Sequence, residues 1–171
     1  MTTKGATTME KAEYVVEPGK QELIVTRMFD APRELVYRAF TEPDLFAQWW
    51  GPRKYTSRIE KFDVKPGGLW RIVQFDGSGA EHAFSGVHHA AVAPERIVAT
   101  FEYEGVPGHV LLGTTVFEAV GNKTRMVAQN VFQSVADRDG MVSSGMREGS
   151  DESYDRLTEL LEKMKGGGGK R

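Results

Sequence analysis

The sequence predicts an α+β domain in which a curved antiparallel β-sheet wraps around one long C-terminal helix, with two short helices after the first strand. Three observations carry this expectation. Between about 54 and 134 the hydrophobic period is two, broken repeatedly by turn residues. From Asp137 the period returns to 3.6 and runs without a proline to a glycine-rich end. Ahead of both, a strand pattern at 21–29 leads directly into two helical stretches, each opened by a proline.

Taken in order, Gln21 to Phe29 (QELIVTRMF) alternates in part and carries β-branched residues, as a strand does. Asp30 stands where an N-cap belongs, with Pro32 near the first helical position and Glu34 in the first turn. Leu35, Val36, Ala39 and Phe40 give the first helix an apolar stripe. Thr41 and Pro43 open the second, and Gly51-Pro52 stops it directly after two adjacent tryptophans, Trp49 and Trp50. Indole is rarely buried completely, and neighbours on a short helix cannot both face one core. One is therefore expected to plug the seam between sheet and helix, and the other to stand at a cavity mouth beside Tyr55.

Six strands follow in meander order: KYTSRIEKFDV, LWRIVQF, HAFSGVHHAAV, RIVATFEYE, HVLLGTTVFEAV and TRMVAQNVFQS. KPGG, DGSG, Ala93-Pro94-Glu95, Gly105 to Gly108 and a Gly-Asn pair separate them. In the last helix Met146, Tyr154, Leu157, Leu160, Leu161 and Met164 recur on one face, opposite a charged one. An antiparallel sheet must cover its apolar face, and only this helix is large enough to do it. Residues 1–20 read as a flexible leader, 21–165 as one domain, and 166–171 as a flexible tail.

Composition narrows the function. Of 171 residues 40% are hydrophobic and 27% charged, as in a soluble globular chain, and the net charge of -2 offers no footprint for nucleic acid. The absence of cysteine excludes disulfides, thiolate metal sites and cysteine nucleophiles. No apolar run approaches the roughly 20 residues that span a bilayer, and the start lacks a secretory signal, so no membrane insertion and a cytoplasmic location are expected. His88 and His89 are adjacent on a strand and point to opposite faces, while His82 and His88 lie about 20 Å apart at roughly 3.3 Å per residue. No metal site is expected, therefore, and no cofactor. Neither GxSxG nor a phosphate-cradling loop occurs, so no catalytic residue is assigned.

The segments FDAPRELVYRAFTEPDLFAQWWGP, DVKPGGLWR, PERIV and GMREGSDESYDRLTELL, in combination, closely resemble the family named for the activator of the heat-shock-protein-ninety ATPase. The resemblance runs from about Glu22 to Lys163. It implies the START-like (SRPBCC) helix-grip fold, with a deep apolar cavity between the sheet and the C-terminal helix. By the family pattern, Trp70, Ile72 and Gln74 look inward, as do Phe84, Gly86, His88 and Ala90 on the next strand. Leu111, Gly113, Thr115 and Phe117 face them from the last hairpin, with Met126, Ala128 and Asn130. Relatives often carry tyrosine and glutamate where this chain has His88 and Ala90.

On the helix, Gly145 and Gly149 are four apart and share a face. Glycine in a helix costs about 0.5–1 kcal/mol against alanine, so the pair needs a reason. Either it opens room opposite the sheet, with Met141 and Met146 as adaptable walls, or it belongs to a loop before a helix starting near Ser150. The expected ligand-binding set is Trp49, Trp50, Trp70, Ile72, Gln74, Phe84, Gly86, His88, Thr115, Phe117, Asn130, Met141, Gly145, Met146 and Gly149. It would hold an apolar or lipid-like small molecule oriented by Gln74, His88 and Asn130, in a monomer or weak dimer. The alternatives are a protein-interaction module stimulating a chaperone ATPase and an enzyme of cyclase or hydrolase type using the cavity.

Overall fold

The computed structural model describes residues 11–167. Its strands are β1 (Glu13–Val15), β2 (Glu22–Phe29), β3 (Thr56–Phe62), β4 (Leu69–Phe75), β5 (Glu81–Val92), β6 (Arg96–Tyr103), β7 (Val110–Val120) and β8 (Lys123–Val131). They form one antiparallel sheet in the order β1-β2-β8-β7-β6-β5-β4-β3, so β2 closes against the last strand and the rest is a meander. The helices are α1 (Arg33–Thr41), α2 (Pro43–Trp49), α3 (Val135–Ser143) and α4 (Met146–Gly167).

Alternation in β2 is complete: Leu23, Val25, Arg27 and Phe29 are buried, and the residues between them are not. Arg27 faces α4 among these apolar neighbours, where it pairs with Asp155 at 3.3 Å and donates to the Thr158 hydroxyl. The rest of that end of the sheet is closed solidly. Phe29, Phe117 and Met126 of the strands meet Val36 and Ala39 of α1, Trp49 of α2, and Leu157 and Leu161 of α4. The N-terminal half of α4 carries Gly149, Ser150 and Ser153 instead, and there the helix stands off from the sheet.

Four expectations need correction. Glu13–Val15, inside the stretch read as a leader, pairs with Ile24–Thr26 as an edge strand, and Tyr14 donates from it to Asp151 of α4 at 2.8 Å. Asp30 does not cap α1: Pro32 is the N-cap, no side chain caps the helix, and the Asp30 carbonyl accepts from Lys165. The helical pattern from Asp137 is two helices, because Gly145 adopts φ +90° between α3 and α4. A bulge between His88 and Ala90 shifts the phase of β5, so that Ala91, opposite Ile97, takes the inner position expected of Ala90. Of the leader, residues 1–10 lie outside the described residues, as do 168–171 of the tail. No helix among the described residues is long and apolar enough to cross a membrane.

Candidate functional site

A cavity of about 440 Å³ occupies the space between the sheet and the first half of α4. Its floor follows from the strand register. Leu23, Asn130, Gly113, Ala99 and His88 stand side by side on β2, β8, β7, β6 and β5, forming one row across the sheet. At about 4.8 Å per strand, Asn130 and His88 end a row roughly 14 Å long whose middle is glycine and alanine. Flanking rows carry Phe101 and Leu111 on one side, and Ile97, Thr115, Ala128 and Val25 on the other.

The walls are rings packed one against the next. From His88 the chain passes to Phe62 (6.0 Å between centroids), Phe46 (4.9 Å), Trp50 (5.9 Å), Phe84 (5.1 Å), Phe101 (5.6 Å) and Trp70 (5.9 Å). All seven line the cavity, so an aromatic belt encircles much of it. The belt also explains the adjacent tryptophans. Trp49 is core: its Nε1–H donates to the Ala39 carbonyl at 2.9 Å, and its ring lies against Phe40, Phe46 and Tyr154. Trp50 belongs to the belt. Tyr55, expected beside it, packs on His82 instead.

Trp50 is held by the segment that follows it. The Gly51 N–H donates to Ser153 Oγ, and Arg156 donates to the carbonyls of Gly51 and Gln48, capping α2 from α4. Gly51 has φ +93°, and a Cβ there would fall on Gln74 Nε2. Glycine thus satisfies both the backbone and the packing of the Gln74 amide.

Polar groups in the cavity are few. Gln74 and His88 are 4% and 5% exposed, and among the described residues Gln74 Nε2 and His88 Nδ1 have no hydrogen-bond partner. Burial pulls the His88 imidazole below its usual pKa, against the backbone carbonyls of Asp63 and Gly68, and keeps it neutral. Burial pushes the Tyr154 hydroxyl up to about 12. No Asp, Glu, Lys or Arg lines the cavity, and no cluster of three metal-ligating side chains occurs among the described residues.

Of the residues expected at the site, Trp50, Trp70, Gln74, Phe84, His88, Thr115, Asn130, Met141, Met146 and Gly149 line the cavity. Trp49, Ile72 and Phe117 are buried beneath it, in the solid core. Gly145 lies in the α3–α4 turn. Gly86 opens no room, since a Cβ there would fall on the Thr100 carbonyl. The reason is local. Pairing of β5 with β6 lapses over Gly86–Val87 and Thr100–Phe101. The Trp70 Nε1–H donates to the Thr100 carbonyl at 3.1 Å, and the Thr100 hydroxyl accepts from the Val87 N–H at 2.9 Å. On the outer face a second hollow of about 330 Å³ backs this gap, and Trp70 and Thr100 border both. Phe46, Phe62 and Phe101 were missed as wall residues, as were Ser150 and Ser153. Alternation on β6 and the i, i+4 spacing of Gly149 and Ser153 could have found Phe101 and Ser153.

The model of the family described as activator of Hsp90 ATPase homolog 1-like protein matches residues 30–162. The chain belongs to that family. No curated protein matches its sequence. Among solved structures, a crystal structure of a Rhodobacter sphaeroides protein is 25% identical with a TM-score of 0.81, over 88% of this chain and 97% of that one. A solution structure of an Arthrobacter aurescens protein has the same TM-score at 21% identity, covering 88% and 91%. A Mycobacterium smegmatis protein follows at 18% identity and 0.79, covering 87% and 95%. The family member shares with these neighbours an open curved sheet folded around a long C-terminal helix, the helix-grip fold.

Proposed function

We propose that this member of the activator of Hsp90 ATPase homolog 1-like family binds an apolar small molecule in the cavity between its sheet and α4. The observation that carries the reading is the cavity itself, about 440 Å³ lined chiefly by aromatic and aliphatic side chains, with Gln74 and His88 among its polar lining residues. The volume falls within the roughly 300–1,000 Å³ of small-molecule sites. Asn130, at the far end of the central row, supplies a third polar contact.

Stimulation of a chaperone ATPase is the less favoured reading, because the apolar cavity lies inside the fold, between the sheet and α4. Catalysis lacks support too, since no carboxylate lines the cavity to pair with His88. The test is titration of the protein with Nile red, following dye emission and Trp50 and Trp70 fluorescence, with NMR shifts read at Trp70, Phe84 and Asn130. Saturable binding that moves those three resonances is expected. Absence of any shift there removes the reading.

A further inference from the structure

We infer that the outer face of the sheet is a self-association surface, on which a second copy of this chain packs through Leu112 and the hollow beside it. The inference is independent of what the cavity holds. It starts from the strand register: Val131, Leu112, Thr100, Val87 and Leu69 stand side by side on β8, β7, β6, β5 and β4. Each is next in sequence to a residue that lines the cavity, and so points to the opposite face. Leu69, Leu112 and Val131 are 47%, 42% and 38% exposed. The one polar member, Thr100, already engages its hydroxyl with the Val87 N–H. Thr114, Val98 and Ala90 fill the next row, with Val116 and Val127 beyond, so the middle of this face is uncharged.

Shape favours a second copy as the occupant. The outer hollow of about 330 Å³ lies among Leu69, Val87, Thr100 and Val110, where β5 and β6 part, and Leu112 protrudes on the strand next to Thr100. A protruding apolar side chain beside a depression makes a surface complementary to itself. A twofold axis lying between two such sheets, along β6, carries each Leu112 over the hollow of the other copy, and each Val131 over the Leu69 side of it. The strands then run aligned, as in sheet-on-sheet packing about 10 Å apart.

Charge and area agree. Lys61 and Arg71 balance Glu102 and Glu104 around the hollow, so this rim offers nothing to a strongly charged partner, and a net charge of -2 per chain repels a second copy only weakly. Five strands at about 4.8 Å and three rows at roughly 6.7 Å give on the order of 500 Å² per copy, near 1,000 Å² in total. That is the low end for a specific interface, and it sets the expected strength: a reversible dimer with Kd of about 10–100 µM.

Sedimentation equilibrium of the wild-type chain between 5 µM and 1 mM, with amide NMR spectra over the same dilution series, tests this. The mean mass should rise from 19.0 kDa toward twice that, and the shifts that change should cluster at Val87, Thr100, Leu112 and Val131. Leu112→Glu should weaken association by at least about thirtyfold while leaving the circular dichroism spectrum unchanged, since this side chain points away from the core; Leu69→Lys should act in the same direction. A wild-type chain that stays monomeric at 1 mM overturns the inference, and amide shifts at Leu112 on adding phosphatidylcholine vesicles to that monomer would make the face a lipid-docking surface instead. A dimer whose changing amides lie on the β3 edge, or whose Kd is unmoved by Leu112→Glu, also overturns it.

Discussion

Gly113→Ile is the most direct probe of the hollow. Gly113 sits mid-row between Ala99 and Asn130, and a Cβ there meets only the Asn130 Oδ1 at 3.2 Å, the Ala99 carbonyl at 3.6 Å and Leu111 Cδ1 at 3.9 Å. The amide must yield by a few tenths of an ångström, and the rest of the side chain enters empty space. Burying an isoleucine side chain contributes about 1.5–3 kcal/mol, and removing a glycine from a strand interior adds up to about 1 kcal/mol. Against this stands about 1–2 kcal/mol for crowding at Asn130 and for rotamer restriction. A net gain of about 2 kcal/mol is expected, a rise of about 4–8 °C in Tm for a chain of this size. The same side chain takes the ligand's seat, so Nile red affinity should fall by more than about tenfold. Thermal melts by circular dichroism and dye titration read both. A lowered Tm together with unchanged dye binding would refute the reasoning, because it would mean that position 113 is closely packed and that the dye binds elsewhere.

Trp49→Ala should cost about 3–5 kcal/mol in urea denaturation, and Trp50→Ala less than about 2 kcal/mol, because one face of that indole already looks onto empty space; equal losses would contradict their different placement. Asp155→Ala takes from the buried Arg27 guanidinium its carboxylate and should cost about 2–3 kcal/mol, with Arg27→Met in the same chain recovering most of it. The pH dependence follows from His88. Burial lowers its pKa in the native state, so as pH falls below the ordinary histidine value of about 6.5 the unfolded chain takes up a proton that the native chain does not. Stability should therefore decline from about pH 7 downward and level off once native His88 protonates. His88→Gln should show a shallower decline in Tm between about pH 7.5 and pH 5.5, and an identical slope would exclude His88 as the source.

Much of the fold is legible in the residues because period and punctuation agree locally. The six-strand meander and the proline-opened helices need no tertiary information beyond that. The exceptions are set by distant partners. Glu13–Val15 is too short for a pattern and becomes a strand by pairing with β2 and anchoring Tyr14 on α4. The single-residue bulge after His88 reverses the facing of everything beyond it, and no local signal marks it. The site divides in the same way. Gln74, His88 and Asn130 can be placed from alternation once the family pattern sets which face looks inward. Gly86 looks like space on that logic, yet it is occupied by a neighbour's carbonyl and an indole edge, which only the three-dimensional arrangement reveals. Gly145 serves chain reversal between α3 and α4, whereas the clearance under α4 comes from Gly149, Ser150 and Ser153.

The indole of Trp70 has a consequence beyond lining. Where β5 and β6 part, it is the partition between two hollows, one on each face of the sheet. The amide of Val87 is latched there by a threonine hydroxyl rather than by a neighbouring strand, and the Thr100 carbonyl is latched by a ring nitrogen. An occupant pressing on that ring pushes on the latch itself. A ring that lines the cavity thus also holds a strand carbonyl and borders the outer face, where Arg71 and Glu104 pair at 2.8 Å.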